Sequence, residues 1–281
     1  MEPYTSGMSA KQHLLDLSLD QLEAELEGSG EPTYRARQVL HWIFGRQVTH
    51  FTDMTDLPGA LRDRLDADLS ILVAEELDSS KAPDGTTKTL LQWPDGASTE
   101  TVMIPSQDRR SSGRDRQRRT VCLSTQVGCD VGCRFCASGI GGSQRDLTVG
   151  EVMEQALRVA QQLRDQEERL THVVFMGMGE PLANYGVTMA AVRHLNAEWG
   201  LGIGQRRITV STVGLPTQIE RLAREGLQIT LALSLHAPND ELRQELIPWA
   251  RGVPLERLLQ ACETYFGETG REVTLEYLSL I

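Results

Sequence analysis

The chain has 281 residues, 40% of them hydrophobic, five cysteines and a formal net charge of −11, enough apolar content to bury a sizeable core in one or two domains. No apolar run approaches the roughly 18 residues that a membrane span needs, and the opening MEPYTSGMSAKQ has neither the basic flank nor the apolar stretch of a secretory signal, so no membrane association and a cytoplasmic, reducing location are expected. The negative sum argues against a polyanionic partner unless the cations are concentrated in one place.

Three short helices are expected before residue 70. Ser18 can cap one that carries Leu22 and Leu26, the run YRARQVLHWIFGR (34–46) puts Val39, Leu40 and Ile43 on one face, and Leu57, Leu61, Leu65 and Leu69 recur every four residues. Residues 1–70 therefore read as a small helical domain. In residues 71–119, β-favouring runs flank the turn signals Pro83-Asp84-Gly85 and Pro94-Asp95-Gly96 and lead into TETVMIP (99–105), a β-hairpin region. It closes with SQDRRSSGRDRQRRT (106–120), which holds six arginines, two aspartates and no apolar side chain. That segment is either a solvated insertion or an electrostatic arm for a phosphate backbone.

From residue 120 to 281 strands and helices alternate, the pattern of βα units on a parallel sheet. Candidate strands are 121–127, 172–178, 207–212, 229–236 and 273–281, and candidate helices are 187–197, 216–225, 239–246 and 255–266. A further helix starts at the capping box Thr148-x-x-Glu151, with Val149, Val152, Met153, Ala156, Leu157 and Ala160 as its apolar stripe. Five strands do not close an eight-stranded barrel. The last of them, VTLEYLSLI, is apolar to its final residue, which reads as a truncated domain.

The strongest chemical signal is Cys129-x3-Cys133-x2-Cys136 in GCDVGCRFCASG. Three thiolates from one short glycine-rich loop can hold a cubane iron-sulfur cluster and leave one iron open. Zinc is the alternative, but structural zinc is usually closed by four ligands with paired C-x2-C spacing, and no His lies near this loop. The run Met176-Gly177-Met178-Gly179-Glu180-Pro181 follows an apolar β-run, so it sits where ligands bind in α/β folds, and Glu180 can pair with an ammonium group. Ser211 and Ser234-Leu235-His236 occupy the same end of the next two strands. Taken singly, each reads first as an ordinary strand-end cap, Cys122 as a small core hydrophobe and Glu100 as a solvated carboxylate. Cys262 lies on a helix where Leu255, Leu258, Leu259 and Phe266 repeat, and it reads as a packed core residue.

The C-x3-C-x2-C spacing resembles the signature of radical S-adenosylmethionine (SAM) enzymes. TVCLSTQVGCDVGCRFCAS (120–138), VFMGMGEPLANY (174–185), RITVSTVG (207–214) and LALSLHAPND (231–240) resemble the RNA adenine C2-methyltransferases of the RlmN type, close kin of the Cfr C8-methyltransferases. The resemblance implies an α/β fold: a partial (β/α)6 barrel lacking its last strand, with an N-terminal helical accessory domain that holds RNA and a β-hairpin connector. It implies a [4Fe-4S] cluster on Cys129, Cys133 and Cys136, with SAM on its open iron and contacted by Gly179, Glu180, Ser211, Ser234, Leu235 and His236. It also implies that Cys122 resolves a covalent RNA intermediate by forming a disulfide, that Glu100 is a proton acceptor, that ribosomal and transfer RNA are substrates, and that an electron donor such as flavodoxin serves a monomeric enzyme.

The sequence also departs from that family. Its methyl-accepting Ala-Cys-Gly-Gln-Leu type motif and a late SAM-contacting Asn are missing, so no residue is assigned to methyl carriage. Ala250 stands where an Asn is usual, and the cluster loop ends in Ala137-Ser138-Gly139 where Ser/Ala-Thr is frequent. The expected activity is methylation of an adenine carbon in RNA, by a chain that is itself incomplete. A catalytically dead RNA- or SAM-binding fragment, or another radical SAM enzyme, is the alternative.

Overall fold

The computed structural model describes residues 11–106 and 118–279. The N-terminal module is tied at both ends by a short parallel pair, β1 (Gln12–His13) with β2 (Leu69–Ser70). Between them run α1 (Leu19–Gly28), α2 (Tyr34–Leu40) and α3 (Gly59–Asp68). Ser18 caps α1 through a full capping box with Gln21, which satisfies two of the helix's free amides. The run at 34–46 does not stay α-helical. After Leu40 it passes into one π turn, His41–Gly45, closed by Arg46 N donating to His41 O at 3.1 Å. Arg46 stacks on the Trp42 ring, and the Trp42 indole donates to Asp56, so the wider turn is held from both sides.

The hairpin region forms β3 (Glu75–Lys81), β4 (Thr87–Gln92) and β5 (Ser98–Pro105), an antiparallel meander. It is continuous with the following sheet, because β5 pairs antiparallel with β6 (Arg119–Cys122) from Val102↔Cys122 to Pro105↔Arg119. A two-stranded ribbon follows, β7 (Gln126–Gly128) with β8 (Ser143–Asp146), and then α4 (Val149–Arg164). The chain continues through β9 (His172–Phe175), α5 (Tyr185–Asn196), β10 (Ile208–Thr212), α6 (Pro216–Ala223), β11 (Thr230–Ser234), α7 (Asp240–Leu246), α8 (Leu255–Thr269) and β12 (Val273–Glu276). The eight-stranded sheet has the order β12-β11-β10-β9-β6-β5-β4-β3, and β6, β9, β10, β11 and β12 are mutually parallel. This is the expected partial barrel of five parallel strands, open on the β12 side.

Two expected strands are shorter than the sequence suggests. The segment 121–127 is not one strand: it leaves the sheet after Cys122, and residues 126–128 turn away to pair with 143–146. The bend is held at Ser124, whose N–H donates to Gln155 Oε1 and whose hydroxyl donates to Glu100 O. Similarly, only Val273–Glu276 of the last apolar run pairs with β11. Among the described residues no helix is long and apolar enough to cross a membrane.

Candidate active site at the strand ends

Because all five parallel strands point the same way, their C-terminal ends bring together residues more than a hundred positions apart, the place where open α/β sheets bind ligands. A cavity of about 290 Å³ opens there. One wall is the cysteine loop, with Cys129, Cys133, Cys136, Val131 and Phe135, and the other is built from the ends of β9, β10, β11 and β12: Gly177, Gly179, Glu180, Ser211, Thr212, Val213, Ser234, His236 and Glu276.

The ribbon of β7 and β8 frames the cysteine loop. Gly128 has φ +80°, and a Cβ there would lie 2.1 Å from Gly142 O, so the two arms of the loop approach more closely than any side chain allows. Asp130 Oδ1 accepts from Ser143 N at 2.7 Å and closes the loop at its base. Burial raises the Cys133 thiol to about 11, and the neighbouring Cys136 and Cys129 add to the effect; burial also raises Cys129. Crowded, partly buried thiols such as Cys129 and Cys133 ionise readily only around a cationic centre. Among the described residues no three His, Cys, Asp or Glu side chains converge closely enough to hold a single metal ion. Three thiols from one short loop suit an iron-sulfur cluster better than structural zinc, whose sites are usually closed by four ligands.

Glu180 is fully buried in the opposite wall. Its carboxylate accepts from Val213 N at 2.7 Å and Leu182 N at 2.9 Å, while its own N–H donates to Gln126 Oε1 at 2.8 Å. Burial pushes it up to about 7 against the pull of these hydrogen bonds and of Thr212. Gly179, at φ +101°, lets this segment lie against Gln126, where a Cβ would come within 2.7 Å of the Gln126 side chain. Ser211 and Ser234 sit side by side on β10 and β11 with their hydroxyls 3.5 Å apart. His236 lies edge-on to Phe135 at 4.9 Å between ring centres, and its Nδ1 accepts from Leu278 N at 3.2 Å, which places the proton of the neutral ring on Nε2. Burial lowers the His236 pKa, partly opposed by Glu276.

Arg243 of α7 was not singled out by its position in the sequence. It is completely buried, donates through Nη2 to Val213 O, and among the described residues has no partner for Nε or Nη1. Burial lowers its pKa, opposed by Asp240 and Cys133, so the guanidinium lies within electrostatic reach of the cysteine loop. A buried, incompletely paired cation is costly unless an anion stands nearby, and an anionic cluster on the three thiolates would be such a neighbour.

The structure thus gathers Cys129, Cys133, Cys136, Gly179, Glu180, Ser211, Ser234 and His236 around one cavity, and leaves three candidates off its lining. Leu235 packs against the core, with its N–H donating to Glu276 O at 3.0 Å. Glu100 is the third residue of β5 and carries a 2.8 Å ion pair to Lys88 on a largely exposed surface. Cys122, at the end of β6, is partly buried, and burial pushes its thiol up to about 11. All five cysteines are free, and Cys262 is buried in α8 as its helical spacing suggested. Thr212, Val213, Phe135 and Glu276 were missed because nothing in their local sequence marks them as pocket residues. The arginine-rich stretch at 107–117 lies outside the described residues.

This fold and site define a radical SAM protein: residues 123–278 match the radical SAM superfamily. Residues 12–71 match the ribosomal RNA large subunit methyltransferase N-terminal domain. The chain is 48% identical over 270 residues to a probable dual-specificity RNA methyltransferase RlmN of Rhodopirellula baltica, covering 96% of this chain and 70% of the relative. It is 46% identical to the protein of the same name in Gloeobacter violaceus, covering 95% and 72%. A radical SAM methyltransferase from Sphaerobacter thermophilus superposes with a TM-score of 0.89 at 46% identity, over 95% of this chain and 76% of that structure. The chain belongs to the RlmN family of radical SAM methyltransferases, whose cofactors are a [4Fe-4S] cluster and SAM.

Proposed function

We propose that the protein methylates carbon 2 of an adenine in ribosomal RNA, and in transfer RNA as well. One observation carries this reading: a single cavity at the strand ends is walled by three cysteine thiols on one side and by Glu180, Ser211, Ser234 and His236 on the other. When bound, the cluster and SAM supply the one-electron chemistry and the methyl group. The chain's own residues hold and orient them. Cys129, Cys133 and Cys136 ligate the cluster, and Glu180 accepts the ammonium of SAM's methionine part beside the close backbone approach at Gly179. Ser211, Ser234 and His236 hold the remaining polar groups, while Leu235, whose partly buried side chain packs against the core, contributes its backbone. Cys122 stays a thiol until a base ionises it, because burial disfavours its thiolate. For Glu100 to accept a proton from the adenine, its ion pair with Lys88 must open. The N-terminal module, residues 12–71, holds RNA, and a flavodoxin-like donor delivers electrons to a monomeric, cytoplasmic enzyme.

A second reading, SAM and RNA binding without methyl transfer, is favoured by the burial of Cys262, which leaves no accessible cysteine beyond the three ligands and Cys122. The two are separated by anaerobic reconstitution with iron and sulfide, a chemical reductant, methyl-labelled SAM and unmodified ribosomal RNA. Label at an adenine carbon supports methylation, whereas SAM cleavage with no labelled nucleoside supports the second reading. In the same preparation Cys133→Ala is expected to lose the cluster's visible absorbance, and retention of a full cluster would remove Cys133 from the ligand set.

A further inference from the structure

The N-terminal ends of the parallel strands, opposite the cavity, carry a row of arginines. Arg118 directly precedes β6, Arg169 lies three residues before β9, and Arg206 and Arg207 directly precede β10. These three strands are neighbours in the sheet, with Thr120 level with His172 and Val173 level with Ile208. The side chains form one field. His172 is pushed down to about 4 by burial and then by Arg118 and Arg207, and Arg169 and Arg207 line the same concave recess of about 120 Å³. Arg169, Arg206 and Arg207 are exposed, and none is paired with a carboxylate among the described residues. Several acidic side chains near this end are held by other cations: Glu168 by Arg119, Asp165 by Arg164 and Glu225 by Arg193. In a chain of net charge −11, three unpaired guanidiniums on adjacent strand ends are a local reversal of sign.

We propose that this face is a second RNA-binding surface that grips the phosphate backbone of a segment remote from the reacting adenine. The inference rests on the RNA methyltransferase reading above and adds to it. Adjacent strands lie about 4.8 Å apart, so the row spans roughly 10 Å, the length over which one nucleic acid strand presents about three phosphates. Arg207, just before β10, and Ser211, near its end, are four residues apart, roughly 13 Å of extended chain, and they lie at opposite ends of the sheet. One short helix of RNA in the cavity cannot touch both. The face therefore selects for a folded RNA large enough to pass around the sheet edge, and it contributes affinity without sequence preference, since arginine-phosphate contacts carry none.

The test is binding of a labelled transfer RNA transcript between 50 and 200 mM salt to three proteins: the unaltered chain, the triple variant Arg169→Ser, Arg206→Ser, Arg207→Ser, and a control, Lys81→Ser, Arg251→Ser, Arg257→Ser, that removes the same charge outside the row and the N-terminal module. The row variant is expected to bind about tenfold more weakly, with the slope of log affinity against log salt shallower by about two, as loss of two to three phosphate contacts requires. The control should keep most of the affinity, and SAM binding should be equal in all three. Equal salt slopes for the unaltered and row-variant proteins overturn the proposal, as does an equal loss in the control. Failure of the unaltered protein to bind RNA at all would instead sink the parent reading.

Discussion

Glu180 shows how one buried carboxylate can be both a liability and a binding group. Its folded-state pKa, about 7, stands above the ordinary value of 4.5 because the cavity wall removes it from water. A raised carboxylate makes its contribution in the protonated form: the stability is fully present below about 4.5 and is lost as pH rises through about 7. An ammonium group docking beside it reverses the sign by favouring the carboxylate. SAM affinity should therefore rise between pH 6 and 7.5 in the unaltered protein, and in Glu180→Gln it should be at least tenfold weaker and flat over that range. Equilibrium dialysis under argon reads both quantities, and an unchanged pH dependence in the variant would show that another group governs binding.

At the scale of elements, Glu154 joins three parts of the chain. Fully buried on α4, it accepts from Val73 N at 2.7 Å and Ala74 N at 3.0 Å, pairs with Arg158 one turn later, and lies 3.2 Å from Nε2 of His13 in β1. Burial alone would raise its pKa, but His13, the Val73 amide and Arg158 together hold it below the usual carboxylate range. The N-terminal module, the link to β3 and the first barrel helix thus share one acceptor. Gly150, at the start of α4, makes room for this: a Cβ there would lie 2.7 Å from the His13 ring. Replacing Glu154 by Ala leaves two amides and a cation without their acceptor, a loss of about 3 to 5 kcal/mol. Thermal unfolding should record it, and limited proteolysis should cut first near residues 71–74. Because a depressed carboxylate stabilises only above its unfolded pKa, this share of stability is lost as pH falls below about 4.5, and acid unfolding of the variant should be correspondingly less steep.

At the scale of the molecule, charge and apolar surface are both unevenly distributed. Among the described residues the edge strand β12 pairs only with β11, and beside it Leu259, Phe266, Leu275 and Tyr277 are 42%, 54%, 51% and 54% exposed. A free strand edge next to an apolar groove is a template for association. Phe266→Lys with Leu275→Lys should lower the scattering of concentrated samples while leaving SAM binding unchanged, since neither residue lines the cavity. Scattering equal to that of the unaltered chain would show that this edge is not sticky.

The sequence by itself determined the chemistry-bearing loop, the helical identity of α1 and α4 to α8, and the alternation that builds a parallel sheet, because each depends on local spacing: thiols within eight residues, capping boxes, apolar stripes at helical period. The same local logic could not place Glu100 in an ion pair with Lys88 or turn Leu235 against the core and off the cavity lining, since tertiary packing decides both. Nor could it find Arg243, whose isolated buried cation becomes visible only when α7 packs against the cysteine loop. The arginine row escaped sequence reading for the same reason. Arg118, Arg169, Arg206 and Arg207 span 89 positions in the chain and meet because the parallel sheet starts three neighbouring strands at one level, and electrostatic potential depends on distance in space rather than along the chain.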